Sequence, residues 1–150
     1  MRIATKSSKL NISKLENTKK IADIFAKNIF KGNVILFYGE IGVGKTTFIK
    51  FLVNSLEKID KKNISEITSP TFSLMNQYKL NKFDIHHYDL YRLKSEKDIL
   101  SLNIFEDISD KIVLIEWPEI LGEHKPKNTI DINFEYGENF NSRYLTISAY

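Results

Sequence analysis

The chain has 150 residues, 42% of them hydrophobic, and a formal net charge of +3, which is the size and composition of one domain with one core. It contains no cysteine, which excludes a disulfide framework and a thiolate metal centre and fits a reducing compartment. No apolar run approaches the length of a membrane span and the opening MRIATKSSKL lacks a signal-peptide core, so a cytoplasmic location is expected.

In chain order, Ser13 and Glu16 have the spacing of a capping box, and Leu15, Ile21, Ala22, Phe25 and Ile29 fall on one helical face. The pattern predicts a helix from about Lys14 to Phe30, stopped at Gly32. The apolar run Val34-Ile-Leu-Phe-Tyr38 follows as a buried strand, then Gly39-Glu-Ile-Gly-Val-Gly-Lys-Thr-Thr47, then a helical pattern at Phe48, Ile49, Leu52 and Leu56. A glycine-rich loop ending in Gly-Lys-Thr between a strand and a helix is the phosphate-loop pattern. Glycines 39, 42 and 44 permit backbone angles that turn successive N–H groups inward. Lys45 brings a mobile positive charge to the β- and γ-phosphates, Thr46 offers a hydroxyl to magnesium, and the helix starting near Lys45 adds the positive end of its dipole.

The lysine-rich run Lys58-Ile-Asp-Lys-Lys62 reads as a solvated loop rather than a nucleic-acid footprint, because acids and bases are interspersed along the chain. Pro70 disfavours helix in Ser69-Pro-Thr-Phe72. Phe72–Tyr78 and Phe83–Tyr91 read as the arms of a hairpin turning at Leu80-Asn-Lys82. Ser95 and Asp98 are placed to cap a short helix carrying Ile99, Leu100 and Leu102. The β-branched run Ile112-Val-Leu-Ile115 predicts a central strand ending at Glu116. Beyond Pro118, Ile130, Ile132, Phe134 and Tyr136 alternate, as do Leu145, Ile147 and Ala149, which predicts a closing antiparallel pair.

A nucleoside triphosphatase needs acids for magnesium and for the attacking water, at strand ends beside the phosphate loop. Glu116 and Asp89 stand in such places, each open equally to the reading of a surface acid at a strand end. Thr71 is either a switch-like contact for the γ-phosphate or a strand-start threonine. Trp117 is a core or boundary residue, or a nucleotide or partner contact. His86, His87 and His124 lack zinc-ligand spacing and read as core or strand-surface residues. Asn81-Lys82-Phe83-Asp84 matches the guanine-reading pattern of GTPases but falls in the hairpin turn, without a D-x-x-G segment, and guanine specificity is discounted. A small-molecule kinase is a rival reading, weakened by the wide spread of Arg2, Arg92 and Arg143. A nucleotide-sensing interaction module is another, with aromatic blocks around Tyr88, Tyr91 and Trp117 expected to be exposed as its interface.

Four blocks in order, Gly39–Thr47, Ser69-Pro-Thr-Phe72, His87-Tyr-Asp-Leu-Tyr-Arg-Leu93 and Ile115-Glu-Trp-Pro-Glu119, resemble the signature of the TsaE family, the ATPase component of bacterial tRNA threonylcarbamoyladenosine synthesis. The resemblance covers nearly the whole chain. It implies an α/β fold, a single P-loop NTPase domain over residues 1–150 with a mixed central sheet flanked by helices. It implies ATP and magnesium as ligands and TsaD- and TsaB-type proteins as partners, with tRNA reached through them. The partner complex would modify the adenosine next to the anticodon in tRNAs that read ANN codons, and ATP turnover in this subunit would reset it. By matching position, the loop residues Gly42, Val43, Gly44, Lys45, Thr46 and Thr47 would hold the phosphates. Thr46 and Glu116 would bind magnesium, and Asp89 and Thr71 would order metal, water or the switch-like loop. Arg143 is the basic candidate for a nucleotide contact in the C-terminal part, and the start of the first helix near Leu15 and Thr18 for the base. Glu40, Ile41 and Val43 depart from the family's usual Asp, Leu and Ala, at positions where the loop uses its backbone.

Overall fold

The computed structural model describes residues 8–149. In chain order the elements are β1 (Leu10–Asn11), α1 (Leu15–Ala26), β2 (Val34–Tyr38), α2 (Lys45–Ile59), β3 (Met75–Lys79), β4 (Asp84–Asp89), α3 (Glu96–Ser101), β5 (Lys111–Glu116), β6 (Thr129–Tyr136) and β7 (Arg143–Ala149). Two 3-10 segments, Ile108–Asp110 and Pro118–His124, flank β5.

The strands form one seven-stranded sheet in the order β1-β7-β6-β2-β5-β4-β3. Its middle is parallel, with β2 between β5 and β6 and β4 beside β5. Antiparallel pairs close both sides, β3 on β4 and β7 on β6 with β1 on β7. Parallel strands are covered on both faces and so read as continuous apolar runs. Accordingly Val34–Phe37 and Ile112–Ile115 are buried throughout. Alternate side chains serve two cores: Ile35, Phe37, Ile112 and Leu114 face α1 and α2, while Val34, Leu36, Val113 and Ile115 pack with Tyr88, Leu90 and Ile99 on the other face. Phe48 of α2 stands edge-on to Phe25 of α1 and Phe134 of β6, with ring centres 6.0 Å and 5.9 Å apart. Those contacts pin the helix of the phosphate loop to sheet and neighbouring helix. Among the described residues no helix is long and apolar enough to cross a membrane.

The hairpin, the central strand ending at Glu116 and the closing pair lie where the sequence pattern puts them. Ser95 caps α3, its hydroxyl accepting from the Asp98 amide at 3.3 Å. The first helix differs: it starts after Lys14, without a side-chain cap, and ends at Ala26. Ser13 is not its cap, because the Ser13 hydroxyl accepts the Arg143 amide at 3.0 Å and joins the helix start to β7. Leu15 is 67% exposed and leaves the helical core face to Ile21, Ala22 and Phe25. The first arm of the hairpin begins at Met75 and leaves Phe72 in the preceding turn, 84% exposed.

The guanine-like tetrapeptide has a structural role. At the hairpin tip the Asn81 amide donates to the Asp60 carboxylate and the Asn81 side chain donates to the Asp60 carbonyl at 3.0 Å, tying the tip to the end of α2.

Candidate functional site

The C-terminal ends of β2, β4 and β5 lie side by side, since Phe37 is paired with Glu116 and Glu116 with Asp89. Ligands of open α/β sheets bind outside this edge. The chain leaves β2 through Gly39 at φ 146° and reaches α2 through Gly44 at φ 117°, a backbone region that side chains disfavour. A Cβ on Gly39 would lie 2.9 Å from the Phe134 Cβ and from Val43 Cγ1, so the loop can lie against β6 only because that residue is bare. Tyr136 donates its hydroxyl to the Ile41 carbonyl at 3.3 Å and holds the loop from above.

This arrangement opens a cavity of about 310 Å³. Gly42, Gly44, Lys45, Thr46, Thr47, Thr71, Asp89, Glu116 and Arg143 all line it, joined by Ile41, Ser69, Tyr91 and Trp117. Of the loop residues expected to hold the phosphates, Val43 does not line this cavity: its side chain is fully buried in the core and its amide donates to the Glu40 carbonyl at 3.3 Å. Leu15 and Thr18 line a neighbouring cavity.

Lys45 is 5% exposed, turned back towards the loop, with Nζ donating to the Gly39 carbonyl and, at 3.2 Å, to that of Glu40. The same ammonium lies 3.9 Å from the ring centre of Trp117, and Trp117 packs on Tyr91 with ring centres 4.9 Å apart. Trp117 is half-buried at the cavity wall and takes a left-handed backbone, φ 58°, directly after Glu116 at the end of β5. Burial lowers the Lys45 pKa from its ordinary value, and the negative charges of Glu116, Glu119 and Asp89 partly oppose that.

Glu116 is 2% exposed, and both its oxygens are engaged. Oε1 accepts from the Thr46 hydroxyl at 2.8 Å, and Oε2 lies 2.8 Å from Nε2 of His87. Asp89, 4% exposed, is engaged differently. Its Oδ1 accepts the Tyr91 amide at 3.0 Å, and its Oδ2 accepts the hydroxyls of Ser69 at 3.1 Å and Thr71 at 3.0 Å. One carboxylate faces the phosphate loop and the other ties down the 69–71 segment.

Of the two readings of His87, core and strand surface, the structure has the first: it is fully buried, and what sequence reasoning missed is its contact with Glu116. The signal was its place two residues before Asp89, which puts both on one face of β4. The expected aromatic surface is also corrected: Tyr88, of opposite parity, is 3% exposed in the second core, while Tyr91 is 53% exposed. Among the described residues no three His, Cys, Asp or Glu side chains gather as a metal cluster.

The family model for "Threonylcarbamoyl adenosine biosynthesis protein TsaE" matches residues 12–144. The chain is 37% identical over 132 residues to the tRNA threonylcarbamoyladenosine biosynthesis protein TsaE of Rickettsia conorii, covering 88% of this chain and 73% of that one. It is 35% identical over 137 residues to the protein of the same name from Nostoc, covering 87% and 80%. The crystal structure of Bacillus subtilis YdiB superposes with a TM-score of 0.74 at 24% identity, over 97% of this chain and 87% of that one, which bears on the fold alone. With a phosphate loop, a mixed α/β sheet and a family match that runs from the first helix to the last strand, this chain belongs to the TsaE family.

Proposed function

We propose that the chain is the ATP-binding and ATP-hydrolysing subunit of a system that makes threonylcarbamoyladenosine in ANN-decoding tRNAs. It works in the cytoplasm as one domain with TsaD- and TsaB-type partners and reaches tRNA through them. The observation that carries this reading is the convergence of Lys45, Thr46, Asp89 and Glu116 on one cavity at the start of α2, in a family named for that biosynthesis.

The residues present fit ATP and magnesium. Gly42, Gly44, Lys45, Thr46 and Thr47, which line the cavity, would hold the phosphates through backbone amides, the Lys45 ammonium and the dipole of α2, and Val43 would join them by turning its amide from the Glu40 carbonyl to a phosphate. A second cavity of about 290 Å³, lined by Ile12, Leu15 and Thr18, shares Gly44, Thr47 and Arg143 with the first. It would offer the base the side chains of Ile12 and Leu15 beside polar groups of Ser13, Thr18 and Asn141, and Arg143 lines both cavities. The Thr46 hydroxyl and the Glu116 carboxylate are hard oxygen donors, and two protein donors suit a cation that keeps phosphate oxygens and water in its shell. When bound, magnesium neutralises charge developing on the phosphoryl oxygens.

The chain's own residues do the rest. Lys45 exchanges the carbonyls of Gly39 and Glu40 for phosphate oxygens, and Asp89 keeps Thr71 turned into the cavity. Arg143 is the one arginine that lines the cavity among the described residues, while Arg92 lies over the Phe72 ring, 4.5 Å from its centre. A site with so little cationic help for the transition state turns over slowly by itself, and a partner can supply what is missing. The test is ATP hydrolysis with magnesium, measured for the chain alone and with TsaD- and TsaB-type subunits. The expected result is a slow rate that rises with the partners. Equal rates with and without them overturn the partner-stimulated reading.

A further inference from the structure

We propose that His87 is a positioning residue for Glu116, holding one carboxylate oxygen so that the other is presented beside Thr46 for magnesium. The inference rests on the ATP and magnesium reading above and adds to it a residue of β4 that touches neither ligand.

The register explains the meeting. His87 and Asp89 share a face of β4, and across the parallel ladder His87 pairs with Leu114 while Asp89 pairs with Glu116. His87 therefore stands one pleat deeper than Asp89, below the strand end from which Glu116 projects. Its Nε2 lies 2.8 Å from Glu116 Oε2, and the Thr46 hydroxyl donates at 2.8 Å to Oε1. The carboxylate is thus gripped from two elements, β4 and α2, and its rotation about the final bond is stopped.

The other ring nitrogen shows why an imidazole is there. His87 is fully buried, and Nδ1 is buried without a hydrogen-bond partner. A side chain needed only to fill space would be apolar, because an unpaired polar atom in the interior destabilises the fold. The imidazole is explained by what Nε2 does. Partners of this kind orient metal ligands from behind, and their loss typically costs about 10- to 100-fold in metal affinity.

The experiment uses the full chain and reads ATP binding by calorimetry, in excess magnesium and in chelator, together with the magnesium dependence of hydrolysis. His87→Leu removes the Nε2 contact, and His87→Gln returns an amide nitrogen to nearly the same place. The expected result for His87→Leu is a magnesium requirement raised about tenfold or more, with ATP binding in chelator unchanged. His87→Gln should restore most of the magnesium response. Should the leucine variant not fold, His87→Asn, whose amide falls short of Glu116, takes its place. Wild-type magnesium dependence in the leucine or asparagine variant overturns the proposal. So does equal impairment of the glutamine variant together with loss of ATP binding in chelator, which marks a role in folding. Wild-type protein that binds no ATP in either condition overturns the ATP reading itself and removes the basis of this inference.

Discussion

The ammonium of Lys45 lies 3.9 Å from the ring centre of Trp117, the only tryptophan in the chain. A charge on the face of an indole perturbs its excited state, and phosphates draw that charge away. ATP is therefore expected to change the intrinsic fluorescence of the protein. Lys45→Ala should abolish the change and weaken ATP binding about 10- to 100-fold, the range for a charge-assisted hydrogen bond of about 1.5–3 kcal/mol. A fluorescence titration of both proteins with ATP checks this; an unaltered response in Lys45→Ala contradicts it.

Glu116 and Asp89 should separate by experiment, because one carboxylate meets Thr46 and the other the 69–71 segment. Glu116→Ala is expected to raise the magnesium requirement and lower turnover. Asp89→Ala is expected to lower turnover about tenfold or more with the magnesium requirement unchanged, since what it frees is Thr71. Hydrolysis measured against magnesium concentration distinguishes the two.

Asp60 is 9% exposed and carries the hairpin tip through Asn81. Asp60→Ala removes the acceptor of the Asn81 amide at the exposed hairpin tip and should cost about 0.5–1.5 kcal/mol of stability, the net worth of an ordinary hydrogen bond. Asn81→Ala should leave the preference between ATP and GTP unchanged, because the tetrapeptide belongs to the hairpin and not to the cavity. Denaturant melts and competition binding are the measurements.

Gly39→Ala should destabilise the fold by about 1–3 kcal/mol, because its Cβ would press on the Phe134 backbone and Val43 while the residue keeps a left-handed φ. Loss of nucleotide binding should accompany it. Thermal melts with and without ATP read both effects.

The pKa of His86 is lowered from its ordinary value by burial and by Lys111, with Asp84 opposing. Its folded-state pKa lies below that of the unfolded chain, so the unfolded state takes up the proton first. Stability contributed by the neutral ring is full above the unfolded pKa of about 6.5 and is lost as pH falls towards the folded value. His86→Gln is expected to flatten the decline of Tm on acidification from about pH 7.5 to about pH 5.

The sequence by itself determined the phosphate-loop pattern and the central strands. Gly39, Gly44, Lys45 and Thr46 lie within one short stretch, where local backbone freedom and a strand-to-helix transition are enough to specify them. Asp89 and Glu116 were legible because each closes a stretch that reads as extended, Ile85–Tyr88 and Ile112–Ile115, at the edge where the loop begins. The tertiary structure decided what local pattern does not encode. Ser13 looks like a helix cap in isolation, yet its hydroxyl serves the amide of Arg143, which sheet closure brings from 130 residues away. Tyr88 and His87 are adjacent in a polar, aromatic block, and only the pleat of β4 sends one into the second core and the other to Glu116. The physical reason is the same in each case. Hydrogen bonds between distant segments depend on register and parity, and these are settled when the strands pair.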